Sequence, residues 1–86
     1  MSYLGGSGSG GGSVPSFASA EVPSGAIDGI NETYTLAHTP SPSASLQLFL
    51  NGALQTEGED FSLATNTITF NVPPLAGSVL VAYYMY

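Results

Sequence analysis

The sequence predicts an all-β fold, a small antiparallel β-sandwich or barrel-like domain preceded by an extended Gly/Ser-rich N-terminal arm. Short runs that alternate apolar and polar residues recur along the chain, as half-buried strands do. Turn-forming residues separate these runs at the short spacing that is typical of sandwiches and barrels. No apolar pattern with the helical period persists for three turns, so we expect no long helix.

The 86 residues allow one domain, which we place at residues 14–86, after an arm at residues 1–13. Within the arm, residues 5–13 read GGSGSGGGS, a composition typical of flexible linkers. A cloning linker is one interpretation of this segment. The other, which we favour, is an arm that lies on a partner surface with Tyr3 and Leu4 as anchors.

The strongest local signal is the Asn51-Gly52 pair, which lies between two strand-like runs. Asn and Gly best tolerate the positive φ angles of a type I′ hairpin turn. Leu48 and its neighbours two residues away should share one face of the first strand, and Gln47 and Phe49 the other. We place this hairpin at the centre of the domain.

The first half of the chain contains further strands and turns. Residues 14–22 have prolines near both ends and predict an edge strand or an extended entry segment, and Thr39–Ser43 predicts a loop. Residues 33–37 predict a strand with Tyr34 and Leu36 inward, and Asp28-Gly29-Ile30-Asn31 predicts an Asx-type turn.

The second half should supply three more strands. Phe61-Ser62-Leu63 predicts a short strand, and Thr67–Val72 a strand that buries Ile68, Phe70 and Val72. The last run, Ser78–Tyr86, is apolar on both faces, so it is either central in a sandwich or part of a subunit contact. For that contact we select Leu80, Tyr84 and Tyr86, together with Tyr3 and Leu4.

The composition excludes several classes of function. The chain has no Lys, no Arg and no Cys, against six acidic residues, for a net charge of −6. Without cations it is unsuited to nucleic acid and to anionic membrane surfaces, and without Cys it has neither disulfides nor thiolate metal sites. No apolar run reaches the roughly 20 residues of a membrane span, and the N-terminal residues lack the basic region and apolar core expected of a classical secretory signal. A domain this small is marginally stable alone, which favours oligomerisation or docking on a larger body.

Few residues suggest chemistry. His38 is the only obvious general base and has Ser41, Ser43 and Ser45 nearby, but no nucleophile-elbow pattern accompanies it, so we expect no enzyme and no cofactor. A second set of residues, in an acidic turn, offers weak ligands for Ca²⁺, although a solvated turn explains them equally well. These are Glu57, Glu59 and Asp60. We take the Asn31-Glu32-Thr33 sequon as a chance match.

The C-terminal tyrosines allow two interpretations. Tyr83, Tyr84 and Tyr86, with Phe49, would serve as a platform on which sugar rings stack. Tyrosine is also enriched at protein interfaces, where its large apolar ring and polar tip are both used. We favour the interface, in which two of these rings lie in the core and the others pack on a neighbouring subunit.

From Ala20 onward, a series of short motifs resembles a recurrent β module of tailed-bacteriophage structural proteins. The motifs are EVPSGAIDGIN, YTL, LFLNGALQ, GEDF, NTITF, the Pro73-Pro74 pair, Gly77 and a final apolar strand that ends in tyrosines. Such modules occur in tail fibres and other accessory virion proteins. They often carry basic residues after the hairpin or in the last strand, and this chain has none.

The resemblance implies a non-enzymatic structural subunit located in the virion, which decorates the capsid or forms part of the tail or fibre. Its partners would be other virion proteins and copies of itself, with a trimer favoured, contacted through the arm and the C-terminal strand. The alternative is a carbohydrate-binding module that recognises a host surface glycan through exposed tyrosines and the acidic loop.

Overall fold

The computed structural model describes residues 16–86, which form seven β-strands in two antiparallel sheets. The strands are β1 (Phe17–Glu21), β2 (Thr33–Thr35), β3 (Gln47–Leu50), β4 (Ala53–Leu54), β5 (Phe61–Ala64), β6 (Thr67–Phe70) and β7 (Leu80–Met85). A single turn of 3₁₀-helix at Ser43–Ser45 precedes β3. One sheet has the strand order β1-β7-β3-β4 and the other β2-β6-β5. The predicted arm at residues 1–13 lies outside the described residues.

The inner faces of the two sheets enclose one hydrophobic core, which confirms the all-β prediction. The four-stranded sheet contributes Leu48, Leu80, Ala82 and Tyr84 to this core. The three-stranded sheet and its flanks contribute the rest: Tyr34, Leu36, Phe61, Ile68 and Phe70. Burying apolar area stabilises the fold by about 25 cal/mol per Å². Within residues 16–86 no charged or polar side chain other than tyrosine is fully buried, so apolar packing and backbone ladders stabilise the sandwich.

The predicted hairpin forms at Asn51-Gly52. Leu50 pairs with Ala53, and the φ angles of Asn51 and Gly52 are +52° and +83°, the positive values that a type I′ turn requires. Leu48 is fully buried, with Leu50 packed against the same core, as expected. The hairpin is not central, however. β7 lies between β1 and β3, and β4 forms an edge of the sheet.

The segment before β2 folds as the sequence indicates. The Asp28 carboxylate accepts hydrogen bonds from the backbone N–H groups of Ile30 and Asn31, both at 2.9 Å, which confirms the Asx-type turn and lowers the pKa of Asp28. Tyr34 is fully buried and donates its hydroxyl to the Ala26 carbonyl. Gly25 lies against that ring, since a Cβ there would approach the Tyr34 Cδ2 to 2.5 Å.

The prediction for Val72 is wrong. β6 ends at Phe70, where Ile68 and Phe70 are buried as expected, but Val72 is 74% exposed. The backbone N–H of Asn71 donates to the Asp60 carbonyl, and the chain bends away into the Pro73-Pro74 loop. The alternation of apolar and polar residues continues past the end of β6, and there it does not predict burial.

β1 is an edge strand, as predicted, and it contains a β-bulge. Ala18 pairs with Tyr84 and Glu21 with Ala82, so three residue steps on β1 oppose two on β7. Ala20 takes up the extra residue at a φ of +54°. Because one residue of slip moves a side chain to the other face of a sheet, the bulge turns Glu21 toward the inner side.

Candidate functional site

The most distinctive surface of the described chain is the outer face of the four-stranded sheet. Residues directly opposite each other in an antiparallel ladder point to the same side. Phe17 pairs with Met85, and Phe49 pairs with both Val81 and Leu54. Together with alternation along β7, these pairs define the face. Its members, which we call the outer face, are Phe17, Gln47, Phe49, Leu54, Val79, Val81, Tyr83 and Met85.

The outer face is apolar and accessible to solvent. Phe17 is 66% exposed, Leu54 and Val79 are each 59% exposed, and Tyr83 is 40% exposed. The rings of Phe49 and Tyr83 meet edge to face, with centroids 5.8 Å apart. A contiguous exposed apolar patch of a few hundred Å² on a soluble domain commonly marks an interaction site.

Two open hollows lie on this face, one on each side of the Tyr83 ring. The first has a volume of about 270 Å³ and is lined by Phe49, Gly52, Val79, Val81 and Tyr83. The second has a volume of about 370 Å³ and includes Phe17, Gln47 and Met85 in its lining. Apolar side chains make up most of the lining of the first hollow.

No charged residue belongs to the outer face. Five of the six acidic residues lie on segments that contact the three-stranded sheet or the loop after it. For example, the Glu32 carbonyl accepts from Phe70 N–H, the Asp60 carbonyl accepts from Asn71 N–H, and Gly29 N–H, next to Asp28, donates to the Pro74 carbonyl. The sixth, Glu21, is turned inward by the bulge. The chain therefore combines a strongly acidic composition with one neutral face.

Glu21 holds the edge of the sandwich together. Its carboxylate accepts a short hydrogen bond from the Tyr84 hydroxyl and another, at 2.7 Å, from the backbone N–H of Ala37. The same hydroxyl accepts from the backbone N–H of His38 at 3.1 Å. Burial, followed by the hydrogen bond to Glu21, raises the pKa of Tyr84 to about 12. These contacts join β1, β7 and the segment after β2.

His38 takes part in this network through its backbone, and its ring stacks on Tyr86. The two ring centroids are 3.8 Å apart and the planes differ by 2°. Within residues 16–86, the His38 ring forms no hydrogen bond with a serine hydroxyl. The hydroxyl of Ser45 instead accepts a hydrogen bond from the backbone N–H of Met85. The arrangement has the geometry of a packing contact rather than of a nucleophile and its base.

The interface prediction is wrong for two of its residues. Leu80 and Tyr84 point into the core of their own chain, where they are almost fully buried. Tyr86 is partly exposed but has one ring face against His38, and its role in a contact stays a prediction. Tyr3 and Leu4 lie outside the described residues. The accessible apolar side chains of the last strand are instead Val79, Val81 and Tyr83.

The sequence did not identify these outer-face residues, because both faces of Ser78–Tyr86 are apolar. We expected the contact instead at the residues that alternate with them, Leu80, Tyr84 and Tyr86. One signal would have separated the two sets. Leu46, Leu48 and Leu50 give the neighbouring strand one purely aliphatic face, while Gln47 marks the other face as accessible. The pairing of Gln47 with Tyr83, and of Leu48 with Ala82, then assigns Tyr83 to the outer side.

The weak Ca²⁺ candidates gain no support. Glu57, Glu59 and Asp60 follow β4 in a turn, where the Asp60 carboxylate accepts from the backbone N–H of Thr56 at 2.8 Å. Among residues 16–86, no three His, Cys, Asp or Glu side chains converge as metal ligands would. The side chain of Asp60 thus serves the turn itself.

The tyrosines do not form a common platform. Tyr84 is buried, Tyr83 lies on the outer face, and Tyr86 stacks on His38. Phe49 and Tyr83 are neighbours, but their planes are nearly perpendicular, at 89°. A flat sugar-stacking surface of two coplanar rings is therefore not present in this part of the chain.

The fold and this surface define a small all-β sandwich with an apolar, uncharged sheet face. Comparisons with protein-family models, with curated proteins and with solved structures found no match to this chain. Between residues 16 and 86 there is also no helix of the length and apolarity needed to span a membrane.

Proposed function

We propose that this chain is a non-enzymatic structural subunit of a bacteriophage particle, located in the virion as a capsid decoration or a part of the tail or fibre. The subunit contacts its neighbours in the particle, which are other virion proteins or copies of itself, through the outer face of its four-stranded sheet. The observation that carries the proposal is this face, which is apolar, uncharged and accessible to solvent.

The location on a phage particle rests on the motif resemblance of residues 20–86, and the mode of attachment rests on the outer face. A small domain without disulfides gains stability when an exposed apolar sheet face is covered by a neighbour. The chain also offers trypsin no cleavage site, because it lacks Lys and Arg. A trimer, favoured at the level of sequence, stays a prediction.

The experiment is quantitative mass spectrometry of gradient-purified particles of the phage that encodes the chain. Chymotrypsin replaces trypsin in the digestion, since trypsin would release no internal peptide. We expect the chain at a fixed copy number per particle, comparable with that of known structural proteins. A phage replication protein, measured in the same fractions, is the control for contamination, and a level no higher than that control contradicts the proposal.

A matched pair of variants tests the attachment surface. Val79→Glu places a charge on the outer face, whereas Val72→Glu places the same charge on a valine in the loop after β6 that is also exposed, at 74% against 59% for Val79. We expect Val79→Glu to reduce incorporation into particles at least tenfold and Val72→Glu to leave it unchanged. Equal incorporation of both variants would exclude the outer face as the attachment site.

A carbohydrate-binding module is the second candidate, and the open hollow between Phe49 and Tyr83 is the observation that favours it. The two rings that line this hollow meet edge to face, and the rest of its lining is mostly apolar. Binding of the full chain to a glycan array, lost in Tyr83→Ala and retained in Val72→Ala, would support this candidate. The absence of any glycan signal would exclude carbohydrate binding and leave the structural subunit as the remaining candidate function.

A further inference from the structure

The outer face carries a protruding side chain at one corner and a hollow toward the other. Phe17 is the most exposed large apolar side chain on the face, lies opposite Met85 and forms part of the wall of the second hollow. The hollow lined by Phe49, Val79 and Val81 lies near the start of β7. Met85 and Val81 are four residues apart, which corresponds to roughly 13 Å along a strand. The face therefore combines a projection and a recess at a fixed separation.

We propose that a second copy of this chain occupies the outer face, packed sheet against sheet about a twofold axis, so that Phe17 of each copy lies over the hollow of the other. The inference rests on the proposed function, names the partner at the same surface and replaces the trimer expected from the sequence with a twofold pair. In a twofold interface each contact occurs twice, once in each direction between the two copies. A projecting side chain on one copy can therefore fill the recess of the other, and the reverse contact is formed at the same time.

The distribution of charge permits a second copy at this face and disfavours a cationic partner there. The chain has a net charge of −6 and no Lys or Arg, so a cationic partner would be attracted to its acidic residues, none of which belongs to the outer face. A second copy brings the same charge and is repelled everywhere except where charge is absent. Two copies can therefore approach through the uncharged outer face without opposing carboxylates.

The size of the face sets the expected affinity. From the exposed fractions of its side chains we estimate an accessible apolar patch of roughly 500 Å² per copy, within the range of the largest patches on single domains. Two copies would then bury about 1,000 Å², the lower limit for a specific interface. We therefore expect reversible association with a Kd of roughly micromolar or weaker.

The test is sedimentation equilibrium of the full chain over a wide concentration range, at low and high salt. We expect a monomer–dimer equilibrium that strengthens with salt, because salt screens the repulsion between two acidic chains while the apolar contact persists. Phe17→Glu and Val79→Glu should each weaken association at least tenfold, since each places a like charge twice in the contact. Val72→Glu, the matched control, should associate like the unaltered chain.

The outcomes separate the possible occupants. A measured mass equal to two chains supports the inference if Phe17→Glu is monomeric and Val72→Glu still forms the dimer. This conclusion holds even if Val79→Glu fails to fold. A mass of three, or a monomer at every concentration, overturns it. A monomer that begins to associate in Tyr3→Asp/Leu4→Asp overturns it as well and assigns the face to the N-terminal arm.

This experiment and the particle analysis fail independently. If the chain is monomeric in solution but present in purified particles, the proposed twofold pair is wrong and the proposed structural role still stands. If the chain forms the twofold pair but is absent from particles, the pair is supported and the proposed structural role is wrong.

Discussion

The two faces of the four-stranded sheet use the same strands and similar residues, and they differ in what lies opposite. Along β7, Leu80, Ala82 and Tyr84 are buried against the three-stranded sheet, while Val79 and Tyr83, one residue away, remain accessible. Apolar character alone therefore does not decide burial in this chain. The second sheet covers one face, and the other remains accessible to solvent. The comparison leads to four predictions, which run from the largest expected effect to the smallest.

The first prediction compares one leucine from each face. Leu48→Ala opens a cavity between the sheets and should lower the free energy of unfolding by about 2–5 kcal/mol. Leu54→Ala, on the outer face, should change it by no more than about 0.5 kcal/mol in the monomer. Urea denaturation at a protein concentration below that of association measures both values. Similar losses for the two leucines would contradict the assignment of the inner and outer faces.

The second prediction compares two adjacent tyrosines. Tyr84→Phe removes a hydroxyl that donates to Glu21 and accepts from His38 N–H, leaving a carboxylate and an amide without that partner. Because this hydrogen bond involves a charged group, we expect a loss of about 1.5–3 kcal/mol in the free energy of unfolding. Tyr83→Phe removes an accessible hydroxyl and is the control, with a change near zero. If both substitutions had the same effect, the network at the sandwich edge would not contribute to stability.

The third prediction concerns alkaline pH. The pKa of Tyr84 is raised from 10.0 to about 12 in the folded chain, so the folded state holds this proton more tightly than the unfolded state. Its contribution to stability is complete below pH 10 and is lost as the pH rises toward 12. Denaturant midpoints measured across this interval should fall, and the fall should be smaller in Tyr84→Phe. An identical fall in both proteins would show that Tyr84 is not its source.

The fourth prediction concerns the bulge in β1. Ala20 adopts a φ of +54°, which costs an L-residue roughly 1 kcal/mol relative to glycine. Ala20→Gly should therefore raise the free energy of unfolding by up to about 1 kcal/mol, reduced by the greater freedom of glycine in the unfolded chain. Ser19→Gly, at a neighbouring position without positive φ, should be destabilising in the same denaturation assay. A destabilised Ala20→Gly variant would argue against the bulge.

Much of the fold could be predicted from local patterns. Asn51-Gly52 predicted a hairpin because few residue pairs accept two positive φ angles, and Asp28 predicted an Asx-type turn because its side chain competes for nearby backbone donors. The inward positions of Tyr34, Leu36, Ile68 and Phe70 followed from alternation next to polar neighbours. In each case the signal and its structural consequence lie within a few residues of each other.

The candidate surface was less predictable, because it depends on pairing between distant strands. A strand with two apolar faces has no internal signal for which one is covered, and Leu80 and Tyr84 were assigned to the wrong side for that reason. The bulge at Ala20 was equally invisible, since it arises from a mismatch between β1 and β7. It nevertheless decides where the charge of Glu21 lies.

The sequence by itself determined the strands, the tight turns, the absence of cationic side chains and the small size of the domain, because composition and short-range backbone preferences act locally. Only the tertiary structure decided which face of β7 is buried, why Val72 is exposed and how the outer face stays free of charge. Those features depend on sheet order, register and one extra residue in an edge strand, which are set by contacts between segments far apart in the chain.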